Sequence, residues 1–350
     1  MAEQKKIRWG VIGAGGIADR RTIPGMMLAN NAELVAVMEI DRQQANRLKE
    51  KYGAKRAYDS EAELLADSEV DAVYIASPVV LHAKQAKMAA DAGKHILIEK
   101  PLAMTGAEGQ EVLDYCNARG ILIAAGLMMR FGANVMAMRE AVQAGQIGAV
   151  VSGFAQFTCW YPDIPGNWRQ QKSTAGGGSL MDMGVHCIDL VQYVTGSKVK
   201  QVAGFHDTLT FGYEVEDSSS VLLRLENGAM CTVQSNFNIP DEAAKWRLEF
   251  FGTRGRLLGD SVIGQVDGGS VDAMFLADVG GYDAAQDGKQ AQKTTLDVAL
   301  GNMYTREIES FGESLLNGTP LTAPASEAVQ VQRVIEAAYR SCEEKRIIDL

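Results

Sequence analysis

Two short segments of the chain carry side chains that can move protons. Lys100 follows an apolar run ending at Glu99 and precedes Pro101, while Asp182 and His186 stand four residues apart. On a helix, a spacing of four places two side chains on one face. Histidine titrates near neutral pH, a carboxylate can orient its ring or relay its proton, and lysine can stabilise negative charge developing on oxygen. These residue types predict a proton-transfer site.

Each of these residues also has a structural interpretation. His186 would serve equally as a helix histidine inside the core, Asp182 as a charge favoured by a helix N-terminus, and Lys100 as a surface lysine before a proline bend. Three glycines, residues 176–178, open the predicted helix, and together with the Asp–His spacing they favour function. A lysine ending a buried strand lies where parallel sheets bind ligands. We therefore predict that all three residues are catalytic.

A glycine-rich loop near the start fits the dinucleotide-binding pattern G-x-G-x-x-A. Residues 13–18 follow an apolar run, residues 7–12, and open a helical window, which is the context that the pattern requires. Gly13 permits the tight turn, Gly15 lets backbone approach a pyrophosphate, and the helix N-terminus faces the phosphates. The predicted cofactor contacts in this loop are Gly13, Gly15, Gly16 and Ile17.

An acidic residue after the second predicted strand completes the pattern. Glu39 lies roughly 20 residues beyond the glycines, where a ribose-binding carboxylate is expected. Asp41 is an alternative for the same role. Because a carboxylate repels a 2′-phosphate, Glu39 predicts NAD as the cofactor, and the neighbouring Arg42 keeps NADP as the alternative.

Short apolar runs alternate with helical windows through the first third of the chain. This alternation predicts a doubly wound parallel sheet with helices on both faces, an α/β Rossmann domain. The predicted strands are residues 7–12, 34–38, 72–75, 95–98 and 121–124. The predicted helices are residues 17–29, 43–51, 61–66, 81–92 and 107–118.

After about residue 126 the strands follow one another without a helix after each, which predicts an open, mostly antiparallel sheet in a C-terminal α+β domain. Those strands are residues 150–159, 199–206, 218–225, 229–236 and 247–251, and the helices are 178–195, 305–316 and 326–340. Residues 260–295 look the least structured. We predict a dinucleotide-binding domain over 1–125 and a domain for substrate binding and oligomerisation over 126–350, with a last helix that can pack back on the first domain.

Composition narrows the function classes. Hydrophobic residues make up 47% of the chain and charged residues 22%, as in ordinary globular proteins, and the net charge of −10 argues against nucleic acid or anionic membranes as partners. The five cysteines are scattered, so they predict reduced thiols, and no cluster has metal-ligand spacing. With neither an apolar signal segment nor a run of membrane-spanning length, we expect a cytoplasmic protein.

Together, these segments resemble the glucose–fructose oxidoreductase / inositol dehydrogenase / rhizopine catabolism (Gfo/Idh/MocA) family of NAD(P)-dependent oxidoreductases over nearly the whole chain. The resemblance also rests on residues 74–82, 92–101 and 334–341, on Trp168 with Arg169, and on the glycine–Asp–His helix. It implies a Rossmann domain followed by an open-faced sheet domain, with nicotinamide and substrate between them.

The resemblance also implies roles for individual residues. Lys100, Asp182 and His186 would form the catalytic group. The path from adenosine to nicotinamide would be flanked by Ser77, Pro78, His82 and Glu99, with Lys100 also contacting the cofactor. Val79 departs from the family pattern, which often has a polar residue such as asparagine there.

The connection before the predicted helix with Asp182 and His186 suggests the class of substrate. Trp160, Tyr161, Trp168 and Arg169 lie in it, and rings stack on the C–H face of a sugar while arginine binds hydroxyls. The tryptophans would serve equally as loop anchors. Arg130 falls near the crevice by family analogy alone. The predicted substrate contacts are Lys100, Arg130, Trp168, Arg169, Asp182 and His186.

These observations predict hydride transfer between a nicotinamide cofactor and a hydroxyl or keto carbon of a sugar, an inositol-like polyol or a glycoside. One alternative is a glycosidase of the same superfamily, which retains NAD and oxidises its substrate only transiently before eliminating the glycosidic bond. Another is a non-catalytic NAD sensor, because a fold does not fix a function. An open sheet face predicts a homodimer or homotetramer.

Overall fold

The computed structural model describes residues 5–277, 279–282 and 293–350. The chain divides into two compact units. The first consists of residues 1–131, 173–176 and 302–333, and the second of residues 132–172, 177–301 and 334–350. The predicted domain boundary at residue 125 stays a proposal. Among the described residues, every helix falls short of the length and apolarity that crossing a lipid bilayer requires.

A six-stranded parallel sheet in the order β3-β2-β1-β4-β5-β6 forms the centre of the first unit. Its strands are β1 (Ile7–Ile12), β2 (Ala32–Met38), β3 (Arg56–Tyr58), β4 (Ala72–Ile75), β5 (His95–Glu99) and β6 (Ile123–Gly126). This order confirms the predicted Rossmann fold, in which ligands bind beyond the carboxyl ends of β1 and β4, where the strand order reverses. The three-residue β3 was not predicted, since a strand so short leaves no periodic pattern.

A nine-stranded sheet in the order β14-β13-β12-β11-β7-β10-β9-β8-β15 forms the centre of the second unit. Its strands are β7 (Val150–Thr158), β8 (Val199–Asp207), β9 (Ser218–Leu225), β10 (Met230–Asn236), β11 (Arg247–Gly252), β12 (Gly255–Asp260), β13 (Ser270–Phe275), β14 (Thr294–Thr295) and β15 (Ile348–Asp349). Only the β7–β10 pair is parallel, which confirms the predicted open, mostly antiparallel sheet.

Ten α-helices lie in the described residues. They are α1 (Ile23–Leu28), α2 (Arg42–Tyr52), α3 (Glu61–Leu65), α4 (Val79–Asp91), α5 (Gly106–Asn117), α6 (Ala133–Gln143), α7 (Lys172–Ala175), α8 (Val185–Thr195), α9 (Met303–Asn317) and α10 (Ala325–Glu344). Wider π-helical turns, Ala18–Thr22 and Leu180–Gly184, lead directly into α1 and α8. Both turns therefore follow the glycine-rich segments singled out in the sequence.

The core of the first unit includes α9, although that helix lies late in the sequence. Ile308 and Phe311 of α9 are buried in one cluster with strand residues of the Rossmann sheet. The rings of Trp9 in β1 and Phe311 lie 5.2 Å apart. Burial of such apolar surface supplies most of the stabilisation of a parallel sheet covered on both faces.

The second sheet is buried on one face only. Along β9, Val221 and Leu223 are buried, whereas Leu222 between them is 60% exposed, as the two-residue period of a strand requires. The same alternation identifies β13, where Val271 and Ala273 are buried. The expectation of little structure over residues 260–295 was therefore wrong for β13, and residues 278 and 283–292 lie outside the described part of the chain.

Candidate cofactor and catalytic sites

The glycine loop after β1 fits closely against the two neighbouring strands. The N–H groups of Gly13 and Ala14 donate to the Met38 carbonyl at 3.1 and 3.0 Å. Gly13 has a φ of +73°, and a Cβ there would lie 2.8 Å from the Ser77 backbone nitrogen. Only glycine meets both conditions without strain. The resulting narrow backbone cradle at the switch point fits the pyrophosphate of a dinucleotide.

Two acidic residues follow β2, and the structure separates their roles. The Glu39 carboxylate accepts the Gly15 N–H at 2.6 Å, so it lies at the glycine loop. Asp41 instead caps α2 by accepting the N–H groups of Gln43 and Gln44 at 2.8 and 3.4 Å. The geometry therefore favours Glu39 as the ribose-binding carboxylate, with Asp41 in a structural role.

The loops after β4 and β5 are joined by a buried histidine. The two ring nitrogens of His82 each lie 2.9 Å from a backbone carbonyl, one of Ser77 and one of Pro101. Burial lowers the pKa of His82, while its hydrogen bonds to the Ser77 and Pro101 carbonyls act in the opposite direction. Pro78 begins α4 as its N-cap residue. His82 thus fixes the segments that carry Ser77, Pro78 and Lys100.

Lys100 follows directly on a carboxylate that is held in place. The Glu99 side chain accepts the Tyr74 hydroxyl and, at 3.2 Å, the Lys100 N–H. Thr22 donates in turn to the Tyr74 oxygen at 2.9 Å. Tyr74 is fully buried, and burial together with the Glu99 charge raises its pKa well above the ordinary value. This chain of hydrogen bonds fixes the backbone from which the half-buried Lys100 side chain extends.

A second acid in the same unit was missed in the sequence. Glu307 on α9 is 3% exposed, and its Oε1 has no hydrogen-bond partner among the described residues. Burial, and then the charge of Glu99, raise the pKa of Glu307 well above its ordinary value. Burial also raises the pKa of the Tyr304 phenol. The nearby Glu99 and Glu307 add to this increase, and Arg21 and Arg20 oppose it. Of these two neighbouring acids, the buried Glu307 is therefore the one whose protonated form is favoured, while Glu99 accepts hydrogen bonds.

The raised pKa of Glu307 makes the stability of the fold depend on pH. The pKa of Glu307 is higher in the folded state, so its contribution is complete below the unfolded value of about 4.3 and is lost as pH rises. We expect the melting temperature of Glu307→Gln, relative to that of wild type, to be higher at pH 8 than at pH 5. The difference should be about 2–4 °C for each kcal/mol of stability that wild type loses over this range. Calorimetry at both pH values measures this. Glu313→Gln, on the same helix, is the control, and an equal difference at both pH values would contradict the assignment.

Arg130 does not have the surroundings expected for a substrate contact. It is 2% exposed, pairs with Glu327 and donates to the Thr322 carbonyl at 2.8 Å. A buried guanidinium with such partners holds chain segments together. The surroundings of Arg130 therefore do not support the predicted substrate contact.

In the second unit, a buried carboxylate holds the start of the helical segment that carries Asp182 and His186. Glu216 accepts the N–H groups of Gly178 and Leu180, both at 2.9 Å, and the Tyr339 hydroxyl at 2.8 Å. A carboxylate is stabilised at a helix N-terminus because the free N–H groups and the helix dipole point toward it. Glu216 was not predicted, since it lies 38 residues from Gly178 in the sequence.

The glycines before this helix are explained by close packing. A Cβ at Gly178 would lie 1.9 Å from the Glu216 carbonyl oxygen, and one at Gly177 would lie 2.1 Å from the Tyr339 hydroxyl. Both distances exclude any side chain. The two glycines therefore let the chain before the π-helical turn with Asp182 pack directly against Glu216 and Tyr339, and they need no bound ligand to explain them.

Asp182 and His186 both lie by the end of β7. The His186 ring is 3% exposed, with its centroid 6.3 Å from that of Phe157. Burial raises the pKa of the Cys159 thiol to about 12, and the negative charge of Asp182 adds to the effect. Phe157 and Cys159 are two residues apart, which places them on the same side of an extended chain. Together, these contacts place the predicted acid and base beside one strand end.

Trp168 and Arg169 belong to the same neighbourhood. The Arg169 guanidinium lies 4.3 Å from the centre of the Trp168 ring, within cation–π range. Burial raises the pKa of Tyr161, Arg169 lowers it, and Asp182 raises it, so both charged groups act on one phenol. The second unit thus brings together Asp182, His186, Trp168 and Arg169, while Lys100 and the cofactor loops belong to the first.

Two family models match the chain. Residues 7–127 match the oxidoreductase family with an NAD-binding Rossmann fold, and residues 135–258 match the GFO/IDH/MocA C-terminal domain. The chain therefore belongs to the Gfo/Idh/MocA family of NAD(P)-dependent sugar and polyol oxidoreductases, which confirms the resemblance noted in the sequence. Among the described residues, no group of three or more histidine, cysteine or acidic side chains is arranged to hold a metal ion.

Individual proteins support this placement. The chain is 32% identical to D-xylose 1-dehydrogenase (NADP(+)) 2 of Haloferax volcanii, over 98% of this chain and 99% of that protein. It is 31% identical to 1,5-anhydro-D-fructose reductase of Ensifer adhaerens, over 75% of this chain and 79% of that protein. The crystal structure of aldose-aldose oxidoreductase from Caulobacter crescentus, complexed with glycerol, matches with a TM-score of 0.88 and 25% identity, over 99% of this chain and 100% of that one.

Proposed function

We propose that the protein is an NAD-dependent dehydrogenase that interconverts a hydroxyl and a keto group on one carbon of a sugar, an inositol-like polyol or a glycoside. The observation that carries the proposal is the arrangement at the carboxyl end of the Rossmann sheet. The glycine loop and Glu39 are aligned there by backbone contacts, and Lys100 follows a fixed Glu99 at the end of β5. The two relatives named above, for D-xylose and 1,5-anhydro-D-fructose, support a carbohydrate substrate.

The proposed chemistry divides among three side chains. When bound, the nicotinamide cofactor accepts the hydride that leaves the substrate carbon. His186 takes the hydroxyl proton as general base, and Asp182 orients the imidazole or relays that proton. Lys100 stabilises the negative charge that develops on the substrate oxygen. Burial of His186 keeps bulk water from the base, while the hydrogen-bonded chain from Thr22 to Glu99 holds the Lys100 backbone.

The cofactor contacts we propose follow the loops of the first unit. Gly13, Gly15, Gly16 and Ile17 would hold the pyrophosphate, and Ser77 and Pro78 would border the path to the nicotinamide with Glu99 and Lys100. His82 would act through the Ser77 and Pro101 carbonyls that it holds. Glu39 supports NAD over NADP, although the Haloferax volcanii relative is named for NADP(+). Arg42, the residue that keeps NADP as the alternative, pairs with Asp59 at 3.4 Å.

Removing the Glu39 carboxylate should change the cofactor preference. A hydrogen bond to a charged group contributes about 1.5–3 kcal/mol, so we expect Glu39→Ala to weaken NAD binding by about 10–100-fold. Relative use of NADP should rise, because the repulsion on its 2′-phosphate is gone. Fluorescence titration with NADH and NADPH measures this without a substrate. Asp41→Asn keeps the helix cap and should leave the ratio unchanged. If Glu39→Ala also leaves the ratio unchanged, Glu39 does not bind the ribose.

Trp168 and Arg169 are proposed substrate contacts, together with Lys100, Asp182 and His186. The stacked pair offers an aromatic surface and guanidinium N–H donors beside Asp182, which suits a ring with hydroxyl groups.

We further propose a homodimer or homotetramer formed through the open face of the second sheet. On that face Phe205 is 80% exposed and Met230 61%, and a second copy of the chain would cover both side chains. The free thiols of all five cysteines support the proposed cytoplasmic location.

The test is absorbance of reduced nicotinamide with NAD and with NADP across sugars, inositols and glycosides. Net reduction with one substrate class is expected. The runner-up, the NAD-retaining glycosidase, would bind NAD tightly, release the aglycone from glycosides and form no net NADH. Neither reduction nor cleavage with any substrate, despite NADH binding, would favour the sensor and contradict the proposal.

A further inference from the structure

Three aromatic rings of the second unit form one cluster, which a fourth aromatic residue joins through its backbone. Trp160 and Phe211 have ring centroids 5.0 Å apart in an edge-to-face arrangement, and Phe211 stacks on Tyr213 at 5.5 Å. The Tyr213 hydroxyl donates to the Tyr161 carbonyl at 3.1 Å. At the outer end Trp160 is 42% exposed. We refer to Tyr161, Tyr213, Phe211 and Trp160 as the ring cluster.

The loop that carries half of the ring cluster is fixed by a buried carboxylate. Asp217 is fully buried and accepts the N–H groups of Leu209, Thr210 and Phe211 at 2.9, 2.8 and 3.1 Å. Burial alone would raise the pKa of Asp217, but these three donors lower it. A loop with this many backbone hydrogen bonds holds exposed rings in one arrangement, which reduces the entropy lost when a ligand binds.

The ring cluster begins beside the segment that carries Trp168 and Arg169 and ends in solvent. At its inner end, the Tyr161 hydroxyl accepts an N–H of the Asn167 side chain at 2.7 Å, and the Asn167 side-chain oxygen accepts the Arg169 backbone N–H at 2.9 Å. Burial raises the pKa of Tyr161, and the charges of Arg169 and Asp182 also act on this phenol. The cluster therefore leads away from the place where the reacting ring of a substrate would lie.

Carboxylates border the rings at two points. Asp163 accepts the Gly212 N–H at 3.3 Å, and Asp241 accepts the Trp160 N–H at 2.9 Å. Aromatic faces flanked by hydrogen-bond acceptors match a sugar ring, which has apolar C–H faces and donor hydroxyls at its edge. A purely apolar partner would remove water from these carboxylates and offer them no hydrogen bond in return.

We propose that the ring cluster is a subsite for a second sugar ring, so that the preferred substrates are glycosides rather than free monosaccharides. This inference rests on the proposed function, because it places the reacting ring beside Asp182. The second ring stacks on Trp160 and Phe211 and undergoes no bond change. It contributes binding that orients the reacting ring for hydride transfer.

The test compares Trp160→Ala with wild type on one-ring and two-ring substrates that share the reacting sugar, such as glucose with cellobiose and xylose with xylobiose. Wild type should have the higher kcat/KM on the two-ring member of a pair. Trp160→Ala should lose about tenfold on that member, and less than about twofold on the monosaccharide. Leu209→Ala, in the same loop and 69% exposed, removes apolar surface without a ring and should change neither.

Equal losses on both members of a pair, or no loss on either, would overturn the subsite. A change of oligomeric state in Trp160→Ala, seen by light scattering, would also overturn it, because the rings would then cover a second copy of the chain. If no substrate is oxidised, the proposed function fails, and calorimetric binding decides the subsite separately. Cellobiose or xylobiose binding more tightly than its monosaccharide to wild type, but not to Trp160→Ala, would support it, and equal binding would contradict it.

Discussion

Lys100→Met should lower kcat by about 10²–10³-fold, the loss seen when one donor that stabilises a developing oxyanion is removed. Methionine keeps an unbranched side chain, one atom shorter, and removes the ammonium group with its charge and its N–H donors. The backbone N–H that donates to Glu99 is unaffected, so the hydrogen-bonded chain through Tyr74 and the fold should survive. NADH binding should therefore change far less than kcat, which separates loss of catalysis from loss of the cofactor site.

The measurement is steady-state kinetics on the best substrate, with a parallel fluorescence titration of NADH and a melting curve. Lys84→Met is the matched control, because Lys84 lies on the neighbouring α4 with a side chain 68% exposed. Its kcat should equal that of wild type. An active Lys100→Met enzyme would show that the lysine serves the fold alone, and would remove one of the three proposed catalytic groups.

His186→Asn should reduce kcat by about 10²–10⁴-fold, the usual contribution of a general base. The variant should also lose the acid limb of the pH profile of kcat/KM, which a merely structural histidine would not produce. Asp182→Asn should also lower kcat, because an amide cannot stabilise the charged imidazole and can hold the ring in the wrong tautomer. Melting curves would establish whether loss of the buried ring also destabilises the second unit.

The matched control for this prediction is His206→Asn, which makes the same substitution in the same unit. His206 packs edge-to-face on Tyr339 with ring centroids 4.9 Å apart, so its loss should affect stability more than kcat. If His186→Asn keeps both its rate and the acid limb, the base lies elsewhere. Equal losses in the two histidine variants would indicate a shared structural role.

Local patterns in the sequence were sufficient for the Rossmann sheet. Strands buried on both faces, such as β4 and β5, appear as continuous apolar runs, and the glycine loop after β1 has a fixed spacing. The choice between Glu39 and Asp41 needed the structure, yet a signal was present. Asp41 followed by Gln44 has the spacing of a helix capping box, which assigns Asp41 to the cap of α2.

Long-range contacts account for what the sequence did not reveal. Neither Glu216 nor Glu307 stands out among its neighbours in the sequence. The fold brings Glu216 to the glycines before Asp182 and Glu307 near Glu99. The Gly177–Gly178 pair supported a functional helix in the sequence, and the structure explains it by packing against Tyr339 and Glu216. Arg130 was assigned by analogy, and its partners Glu327 and Thr322 lie nearly 200 residues away.

The measurement that tests the central claim most directly follows the hydride itself. The purified protein would be given NAD and carbon-deuterated sugars, polyols or glycosides, and the reduced cofactor would be analysed by mass spectrometry. The account predicts NADH that is one mass unit heavier than the product from unlabelled substrate, formed in a one-to-one ratio with the oxidised carbohydrate. Unlabelled or unreduced cofactor after the substrate has been consumed would contradict net hydride transfer from substrate carbon to the nicotinamide.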